Sequence, residues 1–415
     1  MFGVNDLESA VRELDDTTEK LCRFTSIISS NRQLIEDKPP RKALKLARAL
    51  RQVRGFASNL YLAIFQSWRA GCHNQHEAKL FLEDRVDAAA GILKQARRNS
   101  SAPVLIFQLI FAASISQGQT LWHEAVVQVL MANSGDDSVP PLASQASRSP
   151  QVLLVVPQST SKGPEVTFVH DICAAIEATK CGNEQVAFVL TGNQQFGTIA
   201  TNEKTLISYH QADKTTLKAL LLSDNKSNHH GTLLPLRLRM LLALRLASNL
   251  LQLLQTQWLQ SAWSKDMIYF LLRPTGGASN ASQNQLYIDF SRPFVSLTFD
   301  DSSASAPTQQ NVDPKVALLE LGILLLEIWH GTTLETQFFL KEAPGGYYER
   351  LGLALRWLDD MKDPLPELYD KAASHCIRGM IGGETRFRKW EDIEFWGAFC
   401  GDIIEPLSKN CKQWR

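Results

Sequence analysis

Three carboxylates stand close together near the start of the chain, in the run Asp15, Asp16, Thr17, Thr18, Glu19. On a helix, Asp15 and Glu19 share one face at i and i+4, while Asp16 lies about 100° around the axis. A carboxylate pair on one face can hold a guanidinium through two parallel charge-assisted hydrogen bonds. A third carboxylate beside it can take a proton from an attacking ammonium, a role open to Asp16 or Glu19.

A stretch of opposite sign follows. From Lys38 to His76 there are eight basic residues and no Asp or Glu. Arg41, Lys42, Lys45, Arg48, Arg51 and Arg54 lie along a predicted helix whose other face carries Leu46, Leu50 and Val53, so the cations form a stripe suited to a polyanion. Over the whole chain 43 Lys and Arg balance 43 Asp and Glu. That neutrality excludes indiscriminate nucleic-acid or membrane-surface binding and leaves room for a local patch. Cys72, His73 and His76 have no second ligand pair at zinc spacing and read as partly buried helix residues, so no metal or cofactor is expected.

A second set of chemistry-bearing residues lies downstream. Residues 245 to 331 resemble the C-terminal lobe of a protein kinase. A long helix is followed by WLQSAWSKDMIYFLL in place of the catalytic loop, LYIDFSRPF in place of the Asp-Phe-Gly metal site, and ALLELGILLLEIWHG as the long buried helix. With Asp266 at the position of the catalytic-loop Asn, Ser261 falls where the base Asp belongs. Asp289 and Phe290 remain of the metal triplet, and residues 151–222 match neither a Gly-rich loop nor a Val-Ala-Ile-Lys strand, so kinase activity is not expected.

The elements that must position these groups follow from the apolar periodicity. Residues 7–131 read as four to six packed helices, and 132–150, rich in Ser, Ala and Pro, as a linker or mobile loop. Strands are expected at 152–156, 166–169, 186–190, 267–272 and 285–289, and helices at 171–179, 217–222, 233–257 and 316–330, the last closed by Gly331. The fold class is therefore α+β and mostly helical. A helical bundle (1–131) precedes a small β-rich unit (151–223) and a larger helical unit (224–415).

Seven scattered cysteines without a paired Cys-x-x-Cys suit a reducing compartment. Charges at Glu8, Arg12 and Glu13 interrupt what a secretory signal would need, so a cytoplasmic location is expected. The apolar runs 102–116 and 318–329 fall short of the roughly 20 residues of a spanning helix, so no membrane association is expected.

The segments CHNQHEAKLFLEDR (72–85), FQLIFAASISQGQTLWHEAVV (107–127) and FVHDICAAI (168–176), with the degenerate kinase-like pattern, resemble fungal proteins that join a helical region to a kinase-like one. Through Asp15, Asp16 and Glu19, the chain is similar to the arginine-containing cyclodipeptide synthases, which carry an Asp-Asp-x-x-Glu motif. The resemblance implies condensation of the arginyl group of arginyl-tRNA with a second aminoacyl-tRNA to a 2,5-diketopiperazine, with the basic stripe on tRNA and no cofactor or DNA. An aminoacyl ester is already activated, so positioning and a base suffice. The competing expectation is a catalytically inactive kinase-like interaction module in fungal signalling or self-recognition.

Overall fold

The run RKALKLARALRQVRGFASNLYLAIFQS begins after Pro40 and buries Ala43, Ala47, Leu50, Val53, Ala57, Leu60 and Ile64, a three-and-four spacing that makes one face apolar. It forms helix α1, Arg41–Ser67, in the computed structural model. The structure describes residues 11–12, 14–15, 17–23, 25–26, 39–68, 76–95, 105–114, 120–129, 167–179, 186–191, 196–199, 213–223, 234–274, 286–299, 312–342, 344–360, 364–379 and 390–413.

After α1 come β1 (His76–Phe81), α2 (Val86–Gln95), β2 (Leu105–Ser114), β3 (Thr120–Val129), β4 (Thr167–Phe168) and α3 (Ile172–Thr179). The chain continues through β5 (Val186–Leu190), β6 (Phe196–Ile199), β7 (Asp213–Thr216), α4 (Leu217–Ser223), α5 (Leu236–Leu253), β8 (Tyr269–Pro274) and β9 (Leu286–Phe299). Helices α6 (Pro314–His330), α7 (Leu334–Gln337), α8 (Tyr347–Leu358), α9 (Glu367–Arg378), α10 (Ile393–Phe399) and α11 (Glu405–Gln413) complete it, with a π-helical turn at Cys400–Ile404. The fold is mixed, helices with one sheet, in keeping with the α+β expectation.

Among the described residues, nine strands lie in the order β4-β6-β5-β3-β2-β1-β9-β8-β7. The β3–β5 pair is parallel and the other pairs are antiparallel. This corrects the expectation of helices through residue 131, because three strands fall at 76–81, 105–114 and 120–129. Short apolar runs such as LIFQLIFAAS carry no period that separates strand from buried helix. What decides is pairing with partners far along the chain: β1 with β9, and β3 with β5. Strands are thus not confined to 151–223, and the hydrogen bonding of the sheet crosses the boundaries expected at 131 and 223. The expected linker at 132–150 and strand at 152–156 lie outside the described residues.

One face of the sheet is covered by the helices. Ala78 and Leu80 of β1, Phe107 and Leu109 of β2, Val127 of β3 and Val295 of β9 join the main core with α1, α5 and α6. Helix α6 is apolar nearly all round, is capped by Asp313, whose side chain accepts from the Lys315 amide, and ends at Gly331 with φ 68°. It meets α9 at Gly322, where a Cβ would lie 2.6 Å from Ile377 Cγ1.

The opposite face carries Phe81, Ile110, Leu271 and Phe294, with Trp122 and Tyr269 packed against them. Among these rings sits Lys79, fully buried, its Nζ paired with Glu77 and 4.1 Å from the Trp122 ring centre. Burial pushes Lys79 down to about 8 against the pull of Glu77. Burial alone would raise Glu77, but Lys79, the Ser296 hydroxyl and Lys214 outweigh it and hold the carboxyl at about 2.

With a folded value near 2 and an ordinary value of 4.5, ionised Glu77 contributes stability that is complete above pH 4.5 and drains as pH falls through about 2. Urea unfolding between about pH 5 and pH 2.5 is expected to show a wild-type loss about 1–3 kcal/mol larger than that of Glu77→Gln. Equal losses in the two proteins would refute the linkage.

Candidate functional site

Around the acidic motif, residues 11–12, 14–15, 17–23 and 25–26 are helical, and Asp15 and Glu19 are both exposed; Asp16 is outside the described residues. Thr17 and Thr18 donate their hydroxyls back to the Leu14 carbonyl at 2.9 and 2.7 Å. Glu19 faces a guanidinium of its own chain, Arg23, at 3.9 Å, and Arg23 also reaches Asp359 at 3.8 Å. The motif is therefore tethered to the C-terminal end of α8.

Asp359 stands on the rim of a cavity of about 290 Å³ between α6, α8 and α9, whose lining includes His330, Trp357, Asp360, Asp370 and Arg378. The His330 and Trp357 rings stack at 5.2 Å, and Arg378 donates to Asp359. Three carboxylates over an aromatic wall suit a cation, though Arg23 and Arg378 already hold one of them.

The basic stripe forms on α1 as expected: Arg41, Lys42, Lys45, Arg48 and Arg51 are exposed. Lys42 pairs with Glu405 at 3.5 Å. Arg54 is half-buried; burial and neighbouring Arg51 lower its pKa while Glu391 opposes them. Leu50 and Val53 are buried on the core side and Leu46 packs against it.

The positions that resemble a kinase catalytic centre are filled by structural contacts. Trp258 donates its indole N–H to the Ala57 carbonyl of α1 at 2.8 Å, and Trp263 donates to Leu246 at 3.1 Å, which fixes the 258–268 loop. The loop enters through Gln255 at φ 59°, a conformation uncommon for a residue with a side chain. Exposed Ser261 lies 3.7 Å from the Met267 sulfur. Asp266 pairs with Lys218 at 3.2 Å. Asp289 accepts from both the amide and the hydroxyl of Ser291, and Arg245 donates to the Ser291 carbonyl.

Two buried clusters escaped the reading of the sequence. Lys265 Nζ lies 2.6 Å from Glu327 and 2.7 Å from Glu335, and Glu327 also accepts from the Leu334 amide at 2.9 Å. Burial would lower Lys265, but the two carboxylates outweigh it and raise its pKa. The signal was present: Glu327 is a charge inside LLLEIW, and a buried charge needs a partner. Arg85 is the second case, bonded at 3.2 Å to both Asn249 and Gln252 of α5 and lying 4.6 Å from the Phe107 ring centre.

His76 opens β1 rather than lying on a helix, and its ring nitrogen meets Cys173; Cys72 and His73 are outside the described residues. The apolar run that follows it is drawn into the sheet between β2 and β9. Among the described residues no group of three His, Cys, Asp or Glu side chains is placed to hold a metal ion, and no helix is long and apolar enough to cross a membrane.

Lys265→Met leaves Glu327 buried without its cation, and is expected to lower unfolding free energy by about 3–5 kcal/mol in urea titration. A loss below about 1 kcal/mol would show that the triad does not hold the loop to α6 and α7.

No curated protein matches the chain, and neither does any solved structure. A family model described as a domain of unknown function (DUF7580) matches residues 47–414. The match runs from within α1 to the end of α11 and leaves out the acidic motif at 15–19. The chain thus belongs to the DUF7580 family.

Proposed function

We propose that this chain acts as a catalytically inactive, kinase-like interaction module. The order α5, fixed loop, β8–β9 hairpin and buried α6 supports the kinase-like part of the reading. What carries the inactive part is the use of the site's side chains. Asp266 is paired with Lys218, Asp289 closes a turn on Ser291, and Lys265 is enclosed by Glu327 and Glu335. Phosphoryl transfer asks for a carboxylate base on the acceptor hydroxyl and a second carboxylate on the metal. Here Ser261 takes the first position, and the second carboxylate is engaged within its own strand.

A second reading, the arginine-containing cyclodipeptide synthase, is favoured by Asp15 and Glu19 being exposed on one helix, with five exposed cations on α1. In it, Asp15 and Glu19 hold the arginyl guanidinium, Asp16 or Glu19 takes the ammonium proton, and the α1 stripe binds the phosphates of arginyl-tRNA and a second aminoacyl-tRNA. The motif's position ahead of the matched segment ranks this reading second.

One set of incubations separates the two. Purified protein is given labelled Mg-ATP and a protein acceptor, and in parallel arginine, mixed amino acids, tRNA, ATP and active synthetases. The module reading expects neither labelled acceptor nor an arginine-containing diketopiperazine by mass spectrometry. A diketopiperazine lost in Asp15→Ala, Asp16→Ala or Glu19→Ala would replace it with the synthase, and label transfer lost in Asp289→Asn would replace it with a kinase. Under the synthase reading, charge reversal at Arg48, Arg51 and Arg54 lowers tRNA affinity and flattens its salt dependence by about one unit of slope per lost phosphate contact.

A further inference from the structure

Two sequence segments remain unexplained by either reading: CHNQHEAKLFLEDR and FVHDICAAI. The fold brings them together. His76, at the start of β1, places Nε2 3.3 Å from the Sγ of Cys173, 97 residues away in α3. Both side chains are largely buried, at 6% and 8% exposure.

The surroundings hold this pair in place. Trp68, just beyond α1, stacks on the His76 ring at 4.9 Å and 22°, and meets Phe111 and Phe299 edge-on. Ser67 donates to the Val169 carbonyl at 3.4 Å, joining the end of α1 to the segment that leads into α3. Asp171 accepts from the Ala174 amide at 3.1 Å and caps α3. Cys173 is therefore the second residue of a capped helix, whose dipole favours a negative charge near its start. A ring nitrogen on one side and a helix start on the other are the two features that turn a thiol into a thiolate.

We propose that Cys173 and His76 form a thiolate–imidazolium pair that reacts with hydrogen peroxide. The narrow exposure selects a small, uncharged oxidant. Cys173 Sγ attacks one peroxide oxygen, an S–O bond forms as the O–O bond breaks, and the departing hydroxide takes the proton from His76 to leave as water. Sulfur is oxidised by two electrons to a sulfenic acid, peroxide is reduced, and His76 ends neutral. This modification site is independent of the interaction-module and synthase readings.

The test uses the folded full-length protein, low peroxide and a 1,3-diketone that traps sulfenic acids, with peptide mass spectrometry over time. Exposed Cys22 is the internal reference. Cys173 is expected to be trapped about tenfold faster than Cys22, and His76→Gln to remove that advantage without changing trapping at Cys22. Cys173 trapped no faster than Cys22 in the wild-type protein would overturn the proposal, and that comparison needs no variant to fold. An unchanged Cys173 rate in folded His76→Gln would overturn it as well.

Discussion

A charge taken out of water has to be met by another charge or by hydrogen bonds, and much of this structure is organised by meeting that demand. Lys79, Arg85 and Glu327 are almost completely buried; Lys79 pairs with Glu77 within β1, and Arg85 and Glu327 each bond to more distant segments. Arg85 ties the end of β1 to α5, and the carboxylate of Glu327 ties α6 to the Lys265 loop and the start of α7. Apolar packing alone would let strands and helices slide past one another. An enclosed ion with fixed hydrogen-bond directions admits one arrangement, which makes these clusters the pins of the fold.

The same demand shapes the functional conclusion. Of the side chains that sequence order aligned with phosphoryl transfer, Asp266 pairs with Lys218 and Asp289 accepts from Ser291. A carboxylate that closes a turn on Ser291 has less freedom to hold a metal. Among the described residues, the α1 stripe and Asp15 and Glu19 are exposed.

Helices with a full-length period were legible in the sequence. The spacing of Leu46, Leu50 and Val53 marked α1, the Leu-rich run marked α5, and Gly331 marked the end of α6 at a left-handed residue. The alternating or wholly apolar runs of β1, β2 and β3 were not, because Leu105 to Phe111 reads equally well as a buried helix until its partners are known. Those partners lie far downstream, at β5 and β9, and no local window contains them. For the same reason, Cys173 and His76 were visible as residue types but not as neighbours. The acidic motif and basic stripe were legible as surface features because exposure on a helix follows from local spacing.

The pairing of β1 with β9 also has a consequence during synthesis. Residues 76–81 sit between β2 and β9, and their β9 partners are residues 294–299. While the ribosome is still short of residue 299, one edge of β1 has no native partner, and the apolar face of Ala78 and Leu80 awaits α5 and α6. Such an edge is a template for pairing with another nascent chain. Folding should therefore be late and concerted, and the chain should rely on holdase chaperones until more than two-thirds of it has emerged.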